Sequence, residues 1–216
     1  MSDVCLDAAR RVCEVAAGGS LLPGTSEVEV EARGVEAVLA VRLDVAEVER
    51  RAGEDVPPLL DMGVLESLLH LPAGLPVPVA SLTARERARL RRCPKGVLER
   101  SDGHVMRRLV RPLDVDVVVV RTARPVRSAL LRAGRFGAYA ASVVWLDDCA
   151  DSTELLVMEA GVYGLGVVRT RADEAPQLLV APRPSSRFGH TSAGWLFAEQ
   201  VYAQLLGASR GLLPTR

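Results

Sequence analysis

The run Glu27-Val28-Glu29-Val30-Glu31 alternates acid with apolar residue at every step, the period of a half-exposed strand with an acidic outer face. Before it, apolar positions over 3–17 recur near every 3.6 residues and stop at Gly18-Gly19, which predicts a helix with a glycine stop. A second apolar segment at 35–45 fits a strand or a helix. Residues 46–52 read as helical, and Pro57-Pro58 breaks the chain. The spacing over 59–71 predicts a helix whose apolar stripe is Leu60, Val64, Leu65, Leu68 and Leu69, followed by a loop at 72–79. Thr83 then reads as an N-cap with Glu86 as its capping-box partner, opening an arginine-rich helix that Pro94 and Gly96 end. Residues 96–100 and 104–110, joined through Ser101-Asp102-Gly103, predict a β-hairpin with a tight Asp-Gly turn.

The later pattern alternates strand and helix. The continuous apolar run at 115–120 fits a buried central strand. A helix rich in Ala and Arg follows at 128–141, then a buried strand at 142–146 stopped by Asp147-Asp148. A short helix at 155–160, strands at 166–170 and 177–181, a loop at 185–190 and a last helix at 193–206 complete the order. Trp195, Leu196, Val201, Tyr202 and Leu205 are available for burial in that last helix. No internal repeat is visible. The order argues for the α/β (α+β) class.

Composition narrows this picture. At 216 residues and 49% apolar, the chain can bury a real core in one large domain or two small ones, built mainly of Leu, Val and Ala because aromatics are only 4%. The four cysteines form no CxxC pair and no Cys/His cluster, and the three histidines are scattered, so no metal site and no cofactor is expected. Cys5 and Cys13 fall on one helix face as small core residues. Asp3 and Asp7 stand where a secretory signal would be basic, and no apolar run approaches a membrane span. A cytoplasmic protein with reduced thiols and no membrane partner is the expectation.

Charge changes it most. The net charge is zero, yet residues 1–60 hold 12 acids against 6 bases and residues 85–135 hold 15 bases against 5 acids. All these bases but Lys95, the only lysine, are arginines. A basic block of this kind is the footprint of a surface that meets DNA or another polyanion.

Two resemblances follow from particular residues. Gly96-Val97-Leu98-Glu99-Arg100-Ser101-Asp102-Gly103-His104-Val105 matches the phrase "G-L/V-L/V-x-R-x-D-G" of winged-helix DNA-binding domains, in which it forms the strand and wing after the recognition helix. Residues 60–112 therefore resemble a winged helix, with 85–92 as the implied recognition helix. The segment from about 105 to 185 resembles the restriction-endonuclease-like (PD-(D/E)xK) fold. Its matching parts are a strand with Asp114 and Asp116, the helix from Ala129 to Ala140 near the family's "AL-x-QA-x-x-Y-x-x-x-A", the strand at 143–146, and a glycine-bearing strand from Gly161 to Thr170. The resemblance implies a mixed sheet flanked by helices. The nuclease chemistry needs an Asp and then a Glu-x-Lys holding Mg²⁺. Arg121, Thr122, Ala123 and Arg124 stand in its place, and the helix glutamine is Arg132, so the implied nuclease is inactive, with no catalytic residue.

Three consecutive parts are thus expected: an acidic N-terminal segment at 1–57, a winged-helix-like unit at 58–112 and an endonuclease-like domain at 113–216. The expected function is DNA association without catalysis. The expected contacts are Arg85, Arg87, Arg89, Arg91, Arg92, Arg100, Arg107 and Arg108, extended by Arg124, Arg127, Arg132 and Arg135. The alternatives are a protein-interaction scaffold, such as a homodimer in which Glu27, Glu29 and Glu31 meet the basic block, and a metal nuclease using Asp114, Asp116 and a third acid such as Glu99. The pair Ser185/Ser186 with His190 lacks a nucleophile elbow and an orienting acid for a hydrolase.

Overall fold

A computed structural model describes residues 3–149, 152–172, 174–184 and 191–211. Its elements run α1 (Asp3–Ala16), β1 (Thr25–Ala32), β2 (Val35–Leu43), α2 (Val45–Glu54), α3 (Met62–Leu69), β3 (Pro76–Pro78), a 3-10 turn (Val79–Ser81) and α4 (Ala84–Leu90). There follow β4 (Leu98–Ser101), β5 (His104–Arg107), β6 (Leu113–Thr122), α5 (Arg127–Gly134), β7 (Ala141–Asp147), α6 (Glu154–Tyr163), β8 (Gly166–Thr170), β9 (Gln177–Val180) and α7 (Ser192–Gly211). Helices and mixed sheets place the chain in the α/β class. It divides into two compact units, 1–42 with 114–188, and 43–113 with 189–216.

The first unit is built on a six-stranded sheet of order β1-β2-β6-β7-β8-β9. Strands β6, β7 and β8 are parallel, with α5 and α6 as the connections that parallel pairing requires, and β9 closes the edge antiparallel to β8. The segment whose pattern fitted either strand or helix is strand β2. The reason is local: Arg33 (φ 55°) and Gly34 (φ 69°) form a two-residue turn with both φ positive, which folds β2 back onto β1 from Ala32 opposite Val35. Helix α1 lays Ala9, Val12, Cys13 and Ala16 against Val38, Ala40, Val117, Val119, Val143, Trp145 and Val168. The alternate residues Val118, Val120, Val144 and Leu146 are also buried, as in strands covered on both faces. Cys13 is a core residue as expected, and burial, aided by Glu27 and Glu14, pushes its thiol up to about 12.

Three expectations need correction here. The acidic face of β1 is not uniformly solvated: Glu29 and Glu31 are exposed, but only 10% of the Glu27 side chain is, with Arg10 3.9 Å away. The strand at 166–170 forms as the pattern reads, but the start at Gly161 that the endonuclease resemblance implied does not, because α6 runs on to Tyr163 and Gly164 (φ 70°) ends it in the left-handed conformation. The N-terminal residues do not stand apart as a segment of their own. Strands β1 and β2 complete the same sheet as β6–β9, whereas α2 and the C-terminal α7 belong to the other unit. Composition reports charge along the chain, not hydrogen-bonded pairing across it.

The second unit packs α3, α4, α7 and a three-stranded antiparallel sheet of order β3-β5-β4 around Leu65, Leu68, Leu90, Val97, Val105, Leu109 and Trp195. Strand β3 lies within residues 72–79, where a loop is expected. Leu60, expected on the apolar stripe, is exposed, because the helix starts later: the Asp61 side chain caps α3 by accepting from Val64 N at 3.1 Å.

At the centre of this unit is a buried ion network. The Arg51 side chain, 0% exposed, donates to both Glu199 oxygens (2.8 and 2.9 Å), to Glu47 Oε1 (2.7 Å) and to the Val110 carbonyl (2.8 Å). Its guanidinium lies 5.3 Å from the centroid of Tyr202. Glu199 also accepts from Leu59 N at 2.8 Å. Arg50 adds a second fork onto Glu47, at 2.7 and 2.8 Å. Removing one partner of such a pair strands a buried charge and costs about 3–5 kcal/mol. Glu199→Ala and Arg51→Ala are each expected to lower stability by that order in urea titration, while the paired change Arg51→Met with Glu199→Leu recovers most of the loss.

The network also sets an acid limit. Burial alone would raise the Glu47 carboxyl, but the donors on Arg50 and Arg51 outweigh it and hold it below the ordinary glutamate range. A depressed folded value contributes stability that is present above the unfolded value, near about 4.3, and is lost as pH falls through the folded one. The urea midpoint of the native protein is therefore expected to fall below about pH 4, and Glu47→Gln to flatten that acid limb.

Candidate nucleic-acid interface

The site is built by α4 and the β4–β5 hairpin of the second unit. Thr83 Oγ1 accepts from Glu86 N at 3.2 Å and the Glu86 carboxylate accepts from Thr83 N at 2.8 Å, so the capping box forms as read. The helix ends at Leu90, one turn earlier than Pro94 and Gly96 suggested. Asp102 (φ 48°) and Gly103 (φ 74°) form the two-residue hairpin turn between Ser101 and His104. Gly96, which opens the hairpin segment, has φ 86°, and a Cβ there would come within 2.4 Å of Val56. Glycine is required twice over, by conformation and by space.

The arginines of this unit sort by what they bind. Three are taken by acids: Arg89 donates to Glu66 at 3.0 Å, Arg92 to Asp61, and Arg108 to Glu54 at 2.9 Å. Two are held by main-chain carbonyls, Arg87 by Leu82 O and Arg100 by Leu90 O. Arg107 is half-buried, 5.8 Å from the Trp195 ring centroid, with its buried Nε unmatched among the described residues and burial lowering its pKa. Arg85 and Arg91 are exposed, and their side chains make no hydrogen bond or ion pair with any described residue. A cleft of about 420 Å³ lies between α4 and the hairpin, with Arg87, Arg91 and Arg100 on it and Leu82, Leu90 and Val105 among its apolar lining. His104 is exposed in the hairpin, and its Nδ1 is 2.9 Å from Asp102 O. His70 is the C-cap of α3.

The other four expected contacts belong to the first unit. Arg124 is exposed and Arg132 half-buried; Arg127 is 3.6 Å from Glu159, and Arg135 donates to Arg33 O at 2.9 Å. The carboxylates that the endonuclease resemblance singled out meet a guanidinium. Arg42 donates to both oxygens of Asp116, at 2.8 and 3.0 Å, and lies 3.7 Å from Asp114. Glu99, the third acid considered with them, is on β4 of the other unit. Among the described residues no three His, Cys, Asp or Glu side chains gather as metal ligands would. Arg42 was missed because it precedes Asp116 by 74 residues and no local motif marks it.

Asp147 is more than a strand-ending residue. At the carboxyl ends of β6, β7 and β8 it accepts from Arg121 and from Thr170 Oγ1 (3.0 Å), which in turn accepts from Trp145 Nε1 (2.8 Å). Arg121 stacks 5.0 Å from the Trp145 ring centroid. Ser185, Ser186 and His190 lie outside the described residues. No helix among those described is long and apolar enough to cross a membrane. Comparison with protein-family models, with curated proteins and with solved structures finds no match for the chain.

Both local devices can be weighed by substitution. Thr83→Ala removes the cap and is expected to cost about 1 kcal/mol in urea unfolding. Gly96→Ala is expected to cost clearly more, since it adds a clash with a buried valine to backbone strain.

Proposed function

We propose that the second unit binds duplex DNA through α4 and the β4–β5 hairpin, by contacts to phosphate and without cutting. The observation that carries this reading is the placement of Arg85, Arg91 and Arg100: none meets an acid, and they lie on one helix, on its C-cap and on the hairpin after it. The order of α3, β3, the 3-10 turn, α4 and hairpin, with β3 antiparallel to β5, supports the winged-helix-like reading. Arg89, Arg92 and Arg108 are neutralised where they stand and drop out of the contact set. In the first unit, the Arg42 guanidinium on Asp116 and beside Asp114 opposes a divalent cation, which supports an inactive endonuclease-like sheet.

Self-association is a second reading with one observation in its favour. Helix α6 exposes Leu155, Met158, Val162 and Tyr163, between 57% and 71% each, more outward apolar surface than one solvated helix calls for.

Fluorescence anisotropy on a labelled duplex across a salt series tests the proposal. Three phosphate contacts predict a log–log slope of roughly −3. Arg85→Gln and Arg91→Gln are each expected to weaken binding uniformly over sequences and to reduce the slope by about 1. The duplex is expected to stay intact with Mg²⁺. Absence of binding at low salt, with a dimer in sedimentation velocity, would overturn the proposal in favour of self-association.

A further inference from the structure

The cleft between α4 and the hairpin has a property the proposed duplex contacts do not use. Its volume of about 420 Å³ lies in the range of small-molecule sites, roughly 300–1,000 Å³. Leu82, Leu90 and Val105 give it an apolar lining, and duplex phosphates have no use for one. Three arginines line it, Arg87, Arg91 and Arg100, and none of them meets a carboxylate. Two of them are pinned by main-chain carbonyls, which fixes their direction and leaves other N–H donors available. The one acid on the cleft, Asp102, accepts from Ser101 Oγ at 3.0 Å in the hairpin turn.

Apolar walls with several convergent, preorganised cations fit a ligand with an apolar body and an anionic head. We propose that this cleft binds a small amphipathic monocarboxylate, its hydrocarbon part against Leu82, Leu90 and Val105 and its carboxylate on Arg91 and Arg100. A neutral apolar ligand would leave the guanidiniums unanswered, and a cationic one would be repelled. The inference does not depend on duplex binding, because it needs only the cleft and its charges.

The test uses the full chain with octanoate, against octanol and octylammonium of equal length, followed by calorimetry and by methyl NMR shifts of Leu82, Leu90 and Val105. Octanoate is expected to give saturable shifts at these methyls and to bind at least about tenfold tighter than either control, the size of one charge-assisted hydrogen bond. Arg91→Gln, an exposed residue without a structural partner, is expected to weaken octanoate about tenfold, to leave octanol unchanged and to keep the native circular dichroism. Arg91→Lys is expected to restore part of the affinity. Equal binding of octanol and octanoate, shifts elsewhere than these methyls, or indifference to Arg91→Gln would each overturn the proposal.

Discussion

The second unit depends on one buried guanidinium. Arg51 on α2 is held by Glu199 on α7, 148 residues later, and by Glu47 one turn before it on its own helix. Glu199 ties in the main chain at Leu59, and Arg51 the main chain at Val110. Four separate stretches of chain thus converge on two side chains withdrawn from water. Desolvation makes such a cluster a poor source of net stability. Its effect is on choice: an arrangement that misplaces α7 leaves a charge buried without its counterion, so few competing packings survive.

The same logic runs through the surface. A block with three times as many bases as acids looked like a continuous cationic face, but most of those charges are answered by neighbours. Asp61, Glu66 and Glu54 come from the turn before α3, from α3 and from α2; Asp61 and Glu66 each meet one arginine, and Glu54 meets two, Arg50 and Arg108. Among the described residues, the guanidiniums that meet neither acid nor carbonyl include Arg85 and Arg91 in the second unit and Arg124 and Arg132 in the first. Exposed pairs of this kind contribute little energy each. Their consequence is a shape of field: neutral flanks around a few open guanidiniums, rather than a broad charged sheet.

Local chemistry was legible in the chain and distant pairing was not. Thr83 with Glu86, and Asp102 with Gly103, carry their geometry in adjacent residues, and both formed as read. The alternating and continuous apolar runs gave β1, β6, β7 and β8 for the same reason. The partnership of Arg42 with Asp116 and of Arg51 with Glu199 could not be seen, because an arginine's partner is set by topology and not by spacing. Strand β3 was missed because Pro76 and Pro78 read as loop residues, and they are tolerated only in so short a strand at a sheet edge. The domain order was misread where composition was allowed to stand for connectivity.

That connectivity bears on how the protein is made. Helix α7 follows every other element in the chain, yet it supplies Glu199 to Arg51 and Trp195 to the core of a unit whose other parts lie between 43 and 113. During synthesis those earlier residues emerge first and wait, with an apolar surface uncovered and Arg51 lacking one of its two acids, while the sheet unit is still being translated. The second unit is therefore completed last, although most of it is synthesised before the first unit's final strands. Its period of exposure on the ribosome is set by the length of the inserted segment, and a chain interrupted ahead of α7 would present an unfinished core to chaperones and proteases.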